Sequence, residues 1–126
     1  MSAVLIKSHS APNVKESLYI WHETIVELLR KNNSFDISTR QMAILMTVYL
    51  NQPPHTLKDI SSSLSISKPS VCRAIDALSN IGMIKRKRDS EDRRVVNLQR
   101  TVKGSVYLTE FAEIINKVST NKFRNL

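Results

Sequence analysis

The chain has 126 residues, which predicts one domain with its own core and leaves too little for two. Apolar residues make up 41%, against wholesale disorder, and a single cysteine excludes a disulfide framework or a four-cysteine zinc site. Lys and Arg number 19 against 11 Asp and Glu, and the net charge of +8 favours a polyanionic partner.

No run of 18 apolar residues exists, and the N-terminus lacks the long apolar stretch of a signal peptide, so the expectation is a cytoplasmic protein without membrane contact. The only glycines are Gly82 and Gly104, which leaves no glycine-rich phosphate loop.

Residues 1–12 show no periodicity and read as a flexible arm. Asn13 and Glu16 have the spacing of a helix cap and its box partner. Val14, Leu18, Trp21, Ile25, Leu28 and Leu29 follow at spacings of three and four, predicting an amphipathic helix from about 14 to 32 that ends at Lys31-Asn32-Asn33-Ser34. Ser38 and Gln41 form a second box before a helix carrying Met42, Leu45, Met46 and Tyr49, and Pro53-Pro54 stops it. Thr56 caps a short helix with Leu57, Ile60 and Leu64 on one face.

Ser65-Ile66-Ser67 is a tight turn, and Ser67 caps a fourth helix with Pro69 in its first turn. Val71, Ile75 and Leu78 line its inner side, and Gly82 closes it. Met83 to Arg88 and Val95 to Gln99 read as strands of a hairpin with its tip at Asp89 to Arg94. Thr101 opens a last helix with Leu108, Phe111, Ile114 or Ile115, and Val118 on its face, and the polar tail from Ser119 is expected to fray.

The charge is uneven. Residues 1–63 hold six basic and five acidic side chains, net +1, and residues 64–126 hold thirteen and six, net +7. Lys85, Arg86, Lys87 and Arg88 form one run, and Arg93 and Arg94 follow an acidic spacer. Alone, such a run is as readily a solvated face. Its setting adds meaning, because a short helix, a turn of about three residues and a second helix make a helix-turn-helix. The second helix presents Lys68, Ser70 and Arg73 opposite its buried side, where they can reach base edges in a major groove. Its N-terminal turn can hold a phosphate, and a slender basic hairpin fits a minor groove.

Residues 56–104 resemble the winged helix domain of the MarR family of bacterial transcriptional regulators. The resemblance rests on Thr56-Leu57-Lys58-Asp59-Ile60, on the run from Ser67 to Leu78, on Ile81-Gly82-Met83-Ile84, on the wing Arg88 to Arg94, and on Thr101-Val102-Lys103-Gly104. It implies a homodimeric, sequence-specific DNA binder, often a repressor and often released by a small-molecule effector. It also implies that Arg93 or Arg94 enters the minor groove while Asp92 braces the wing by pairing with a neighbouring arginine. Three features depart from the family: Ser65 stands where glycine is common, Cys72 where a small hydroxyl residue is usual, and one substantial helix follows the wing instead of two.

The expected fold is therefore mainly α, an α+β winged helix with a two-stranded hairpin, flanked by N- and C-terminal dimerisation helices. Residues 13–126 form a single winged-helix domain. Helices 13–33 and 102–120 serve dimerisation, and 38–100 form the DNA-binding core with the wing at 83–100. The expected DNA-binding residues are Thr56, Ser67, Lys68, Pro69, Ser70, Arg73, Arg86, Lys87, Arg88, Arg93 and Arg94. The dimer interface is expected on Val14, Leu18, Trp21, Ile25, Leu108, Phe111, Ile115 and Val118, because two apolar stripes are too much for a monomer to expose.

The partners expected are double-stranded DNA and a second copy of the chain. No cofactor or metal is expected, since His9, His22 and His55 are scattered and His22 with Glu23 is simplest as a hydrogen-bonded pair. Cys72 reads as a small helix residue ahead of a redox sensor. Tyr19, Trp21, Tyr107 and Phe111 read as core ahead of a ligand pocket. No catalytic set is marked by spacing, so no enzyme activity is expected. The alternative to a regulator is a winged helix used for protein contact or for non-specific nucleoid binding.

Overall fold

The computed structural model describes Ala11, residues 13–31 and residues 36–125, with side chains to Thr120. The elements are α1 (Val14–Lys31), α2 (Thr39–Leu50), α3 (Leu57–Leu64), α4 (Lys68–Asn80), β1 (Ile84–Arg88), β2 (Val96–Arg100) and α5 (Val102–Asn125). This is the mainly helical winged-helix architecture expected. The described residues divide into two compact units, one within 34–110 and one within 1–33 and 111–126. The division falls inside α5, at Phe111. Of the expected arm, only the exposed Ala11 lies among the described residues, as does only Lys31 of the expected stop after the first helix.

Local chemistry sets the helix starts. The Asn13 side chain accepts from the Glu16 N–H at 2.8 Å while Glu16 accepts from the Asn13 N–H at 3.0 Å. Ser38 and Gln41 repeat this exchange at 3.1 and 3.0 Å. Thr56 accepts from Asp59 N–H at 3.1 Å, and Ser67 from Ser70 N–H at 3.4 Å. Each bond satisfies an N–H that the first helical turn leaves unpaired. Gly82 ends α4 at φ 79°, with its N–H on the Ser79 carbonyl at 3.0 Å and the Met83 N–H on that of Leu78 at 2.9 Å. These two bonds are the Schellman closure, and the left-handed residue they require suits glycine.

The unit of residues 34–110 is built on one core. Ile44, Leu45 and Val48 of α2, Ile60 of α3, Val71, Ala74, Ile75 and Leu78 of α4, and Met83, Ile84 and Leu98 at the hairpin base are all buried. α4 packs against α2, α3 and β1, so it is the central helix of this unit. Leu57 and Leu64 are only half-buried, although they share the predicted face with Ile60.

One correction concerns the end of the chain. The segment from Ser119 was expected to fray, yet α5 runs to Asn125. No proline or glycine follows Gly104, so nothing in the sequence breaks the helix there.

The turn between α3 and α4 holds Ser65 in the left-handed region, φ 54° and ψ 43°. The turn is closed by the Ile66 N–H on the Ser61 carbonyl at 3.1 Å and the Ser61 hydroxyl on the Ile66 carbonyl at 2.5 Å. A residue with a Cβ is strained by about 1–2 kcal/mol in that region, and glycine loses about 0.5–1 kcal/mol more chain entropy on folding. Gly104 is the opposite case, because a Cβ there would fall inside 3.0 Å of the Met83 carbonyl and the Tyr49 hydroxyl. We therefore expect Ser65→Gly to raise unfolding free energy by about 0.5–1 kcal/mol. Gly104→Ala should lower it by about 2 kcal/mol or more. Urea unfolding of the two variants checks both signs.

Candidate nucleic-acid interface

The N-terminal half of α4 carries a row of hydroxyl and basic groups away from the core. Its buried side is Val71, Ala74, Ile75 and Leu78, whereas Ser67, Lys68, Pro69 and Arg73 are exposed and Ser70 is half-buried. The Ser67 and Ser70 hydroxyls are 3.0 Å apart, and Arg73 donates from Nη2 to Ser70 Oγ at 3.1 Å. One i,i+3 chain of bonds thus orients the Arg73 fork along the helix surface. Thr56, also expected at the site, is half-buried, its hydroxyl caps α3, and it bridges to Asn97 of the wing.

The wing pairs antiparallel in the register Ile84↔Arg100, Arg86↔Leu98 and Arg88↔Val96. Alternation therefore puts Ile84, Arg86 and Arg88 on the face shared with buried Leu98, and Lys85 and Lys87 on the other. The cations differ in what holds them. Arg86 donates to the Asp76 carboxylate on α4. Arg88 donates to the Arg93 carbonyl at 2.7 Å. Arg94 grips Asp92 with two parallel bonds of 3.0 and 3.1 Å. Lys85, Lys87 and Arg93 are exposed, with no side-chain acceptor among the described residues.

The tip is folded by carboxylates. Asp89 accepts from the N–H groups of Glu91 and Asp92 at 3.0 and 2.9 Å, and Asp92 accepts from the Arg94 N–H at 3.1 Å. The Val95 N–H closes the turn on the Asp92 carbonyl at 2.9 Å. The Arg94 side chain, then its backbone N–H, hold the Asp92 carboxyl below its ordinary value of 3.8, and Asp92 in turn raises the guanidinium of Arg94.

The base of the wing depends on contacts between residues far apart in sequence. The Tyr49 hydroxyl accepts from the Thr101 N–H at 2.9 Å. Its own proton faces the Thr101 carbonyl at 2.9 Å and that of Met83 at 3.2 Å. The Thr101 hydroxyl donates toward the Gly82 carbonyl at 2.8 Å and caps α5 by accepting from the Gly104 N–H at 3.0 Å. Arg100 donates to the carbonyls of Val48 and Asn51 at 3.1 Å each, with its guanidinium 5.7 Å from the Tyr49 ring centroid. In sequence, Tyr49 reads only as an apolar-face residue of its helix. The dipeptides Arg100-Thr101 and Lys103-Gly104 carry no local signal of a partner in α2.

The expected interface residues divide. Val14, Leu18, Trp21 and Ile25 are exposed, at 77, 63, 55 and 40%, and Leu29 extends their stripe at 56%. Leu108 and Ile115 are half-buried. Phe111 and Val118 are buried within the chain itself, at 5 and 8%, so they offer little free surface to a second copy, against the expectation. Of the aromatics considered for a pocket, Tyr107 is buried as well. Cys72 is a free, half-buried cysteine on α4. No group of three metal-ligating side chains occurs among the described residues, and no described helix is long and apolar enough to cross a membrane.

A helix-turn-helix followed by a basic hairpin defines a winged helix-turn-helix protein. Residues 37–96 match the model of the MarR family. The MepR–DNA complex of S. aureus is similar at a TM-score of 0.70 and 26% identity, over 84% of this chain and 86% of that one. MepR, a transcription regulator of the S. aureus multidrug efflux pump MepA, is similar at 0.67 and 26%, over 85 and 78%. The YusO protein of Bacillus subtilis shares the fold at 0.70 and 20%, over 85 and 72%. Residues 37–96 thus carry a MarR-type winged helix, and the solved structures similar to the chain include a protein–DNA complex and a transcription regulator.

The Asp92–Arg94 brace gives a pH prediction. A depressed carboxyl stabilises above its ordinary value and loses that contribution as pH falls through the lowered one. The Asp92 carboxyl should titrate below 3.8 by NMR and move up toward that value in Arg94→Ala. An unchanged Asp92 titration in the variant would show that Arg94 does not hold it.

Proposed function

We propose that two copies of the chain bind a palindromic operator in the cytoplasm, at the nucleoid, and repress transcription by occupying it. The observation that carries this reading is the single surface formed by the Ser67–Ser70–Arg73 chain on α4. In the proposed pose α4 lies in the major groove. Arg73, steadied by Ser70, reads base edges, best a guanine through its fork. Lys68, Pro69 and the capped N-terminus of α4 meet the backbone and set the register. The wing follows into the minor groove with Arg93 leading, Lys87 beside it, and Arg94 and Arg88 spent on holding the tip in shape.

Dimerisation rests on α1 in this reading. A stripe of Val14, Leu18, Trp21, Ile25 and Leu29 left in water is a larger apolar patch than a monomer ordinarily carries. A two-fold contact through it covers the patch and lets two recognition helices read half-sites about 34 Å apart. The burial of Phe111 and Val118 shifts weight from the last helix to α1.

The test begins with selection of bound fragments from genomic DNA, then compares the selected operator with random duplex. The operator should win by about 10³ or more. Arg73→Ala should narrow that gap, whereas Lys68→Ala should weaken both sequences alike and flatten the salt dependence. Arg93→Ala should cost at least about tenfold. Trp21→Ala should raise the dimer dissociation constant by about tenfold or more in sedimentation. A wild-type chain that binds every duplex equally is a nucleoid component and not a regulator.

A further inference from the structure

An acidic residue on a surface that meets DNA needs a reason, and Asp76 is such a residue. It continues the row of Ser70 and Arg73 along α4, three positions on, and is exposed. Its carboxylate takes the Arg86 guanidinium from mid-strand in β1. The other ion pairs among the described residues lie within one helix or within the wing tip, so this one alone joins the recognition helix to the wing. The partners' side chains are 40 and 57% exposed, so the pair adds little to stability.

We infer that Asp76 is a specificity-determining residue, which withholds Arg86 from the DNA backbone and so suppresses non-specific binding. This rests on the DNA-binding reading above. Arg86 sits in the run Lys85–Arg88, where a free guanidinium would add a phosphate contact blind to sequence. Held by Asp76, it contributes no such contact, and the carboxylate is neutralised beside a polyanion. Affinity that random DNA would share with the operator is thereby removed, while Arg73 and Arg93 keep their own contacts. Discrimination gains at the expense of raw affinity.

The test is a double-mutant cycle of Asp76→Asn and Arg86→Gln on a random-sequence duplex of about 24 bp, which spans two half-sites. Dissociation constants are read over a salt series. Asp76→Asn should bind this duplex about fivefold to tenfold more tightly at low salt, with a slope of log affinity against log salt steeper by about 0.9. In the Arg86→Gln background the same change should leave the slope where it was. On the selected operator Asp76→Asn should gain less, so the ratio of operator to random affinity falls. Thermal unfolding should stay near wild type. An equal effect of Asp76→Asn with and without Arg86 would overturn the inference, since Asp76 would then act by bare repulsion. An unchanged slope in Asp76→Asn would overturn it too, leaving the pair only structural. A wild-type chain with no salt-dependent duplex binding would instead overturn the DNA-binding reading, and this inference with it.

Discussion

The hairpin and the helix that precedes it hang on one half-buried junction, the Tyr49 hydroxyl set between the backbones of Met83 and Thr101. Met83 leads into β1 and Thr101 follows β2, so both ends of the wing meet on a side chain of α2. Gly104 leaves the space for that hydroxyl, and Arg100 secures the C-terminal end of the same helix. The partners of the Tyr49 and Arg100 side chains are polar backbone atoms at the edge of the core, where a lost partner costs about 1–3 kcal/mol. The core under it, from Ile44 to Leu98, then fixes α4, because α4 packs on α2, α3 and β1 together. The helix and the hairpin of the proposed DNA surface are thus referred to one frame.

Electrostatics decides which of the many cations are available. Composition shows a surplus of positive charge and its place in the second half, but a run such as Lys85 to Arg88 looks uniform in sequence. Folding sorts it. Arg86 is held by Asp76, Arg88 by a carbonyl at the tip and Arg94 by Asp92, while Lys85, Lys87 and Arg93 stay without a side-chain acceptor among the described residues. The engaged arginines spend charge on shape. In the proposed pose, a wing with a fixed tip would lose less freedom on entering a groove, and the exposed cations would supply the attraction.

Much of this was legible because its causes are local. The boxes at Asn13 and Ser38, the caps at Thr56 and Ser67 and the glycine closure at Gly82 each act within a few residues, and each was found where the pattern put it. The period of apolar residues gave the helices, and the hairpin followed from alternation on β2. What escaped was non-local. Tyr49 and Thr101 are 52 positions apart, and Asp76 and Arg86 are 10 apart on different elements. Apolar stripes were equally blind to depth. Val14 to Ile25 and Phe111 to Val118 look alike in sequence, yet the first is exposed while Phe111 and Val118 are buried. The extension of α5 to Asn125 escaped because polar composition was read as fraying where no helix breaker stands.

The claim that the junction holds the wing is tested most directly by native-state hydrogen exchange in Tyr49→Phe, which removes the hydroxyl and keeps the ring. The account predicts that amides of Met83 to Arg88 and Val96 to Thr101 exchange faster, while those of α4 between Val71 and Leu78 keep their protection relative to global unfolding. Uniform acceleration across both regions, or none in the wing, would contradict it.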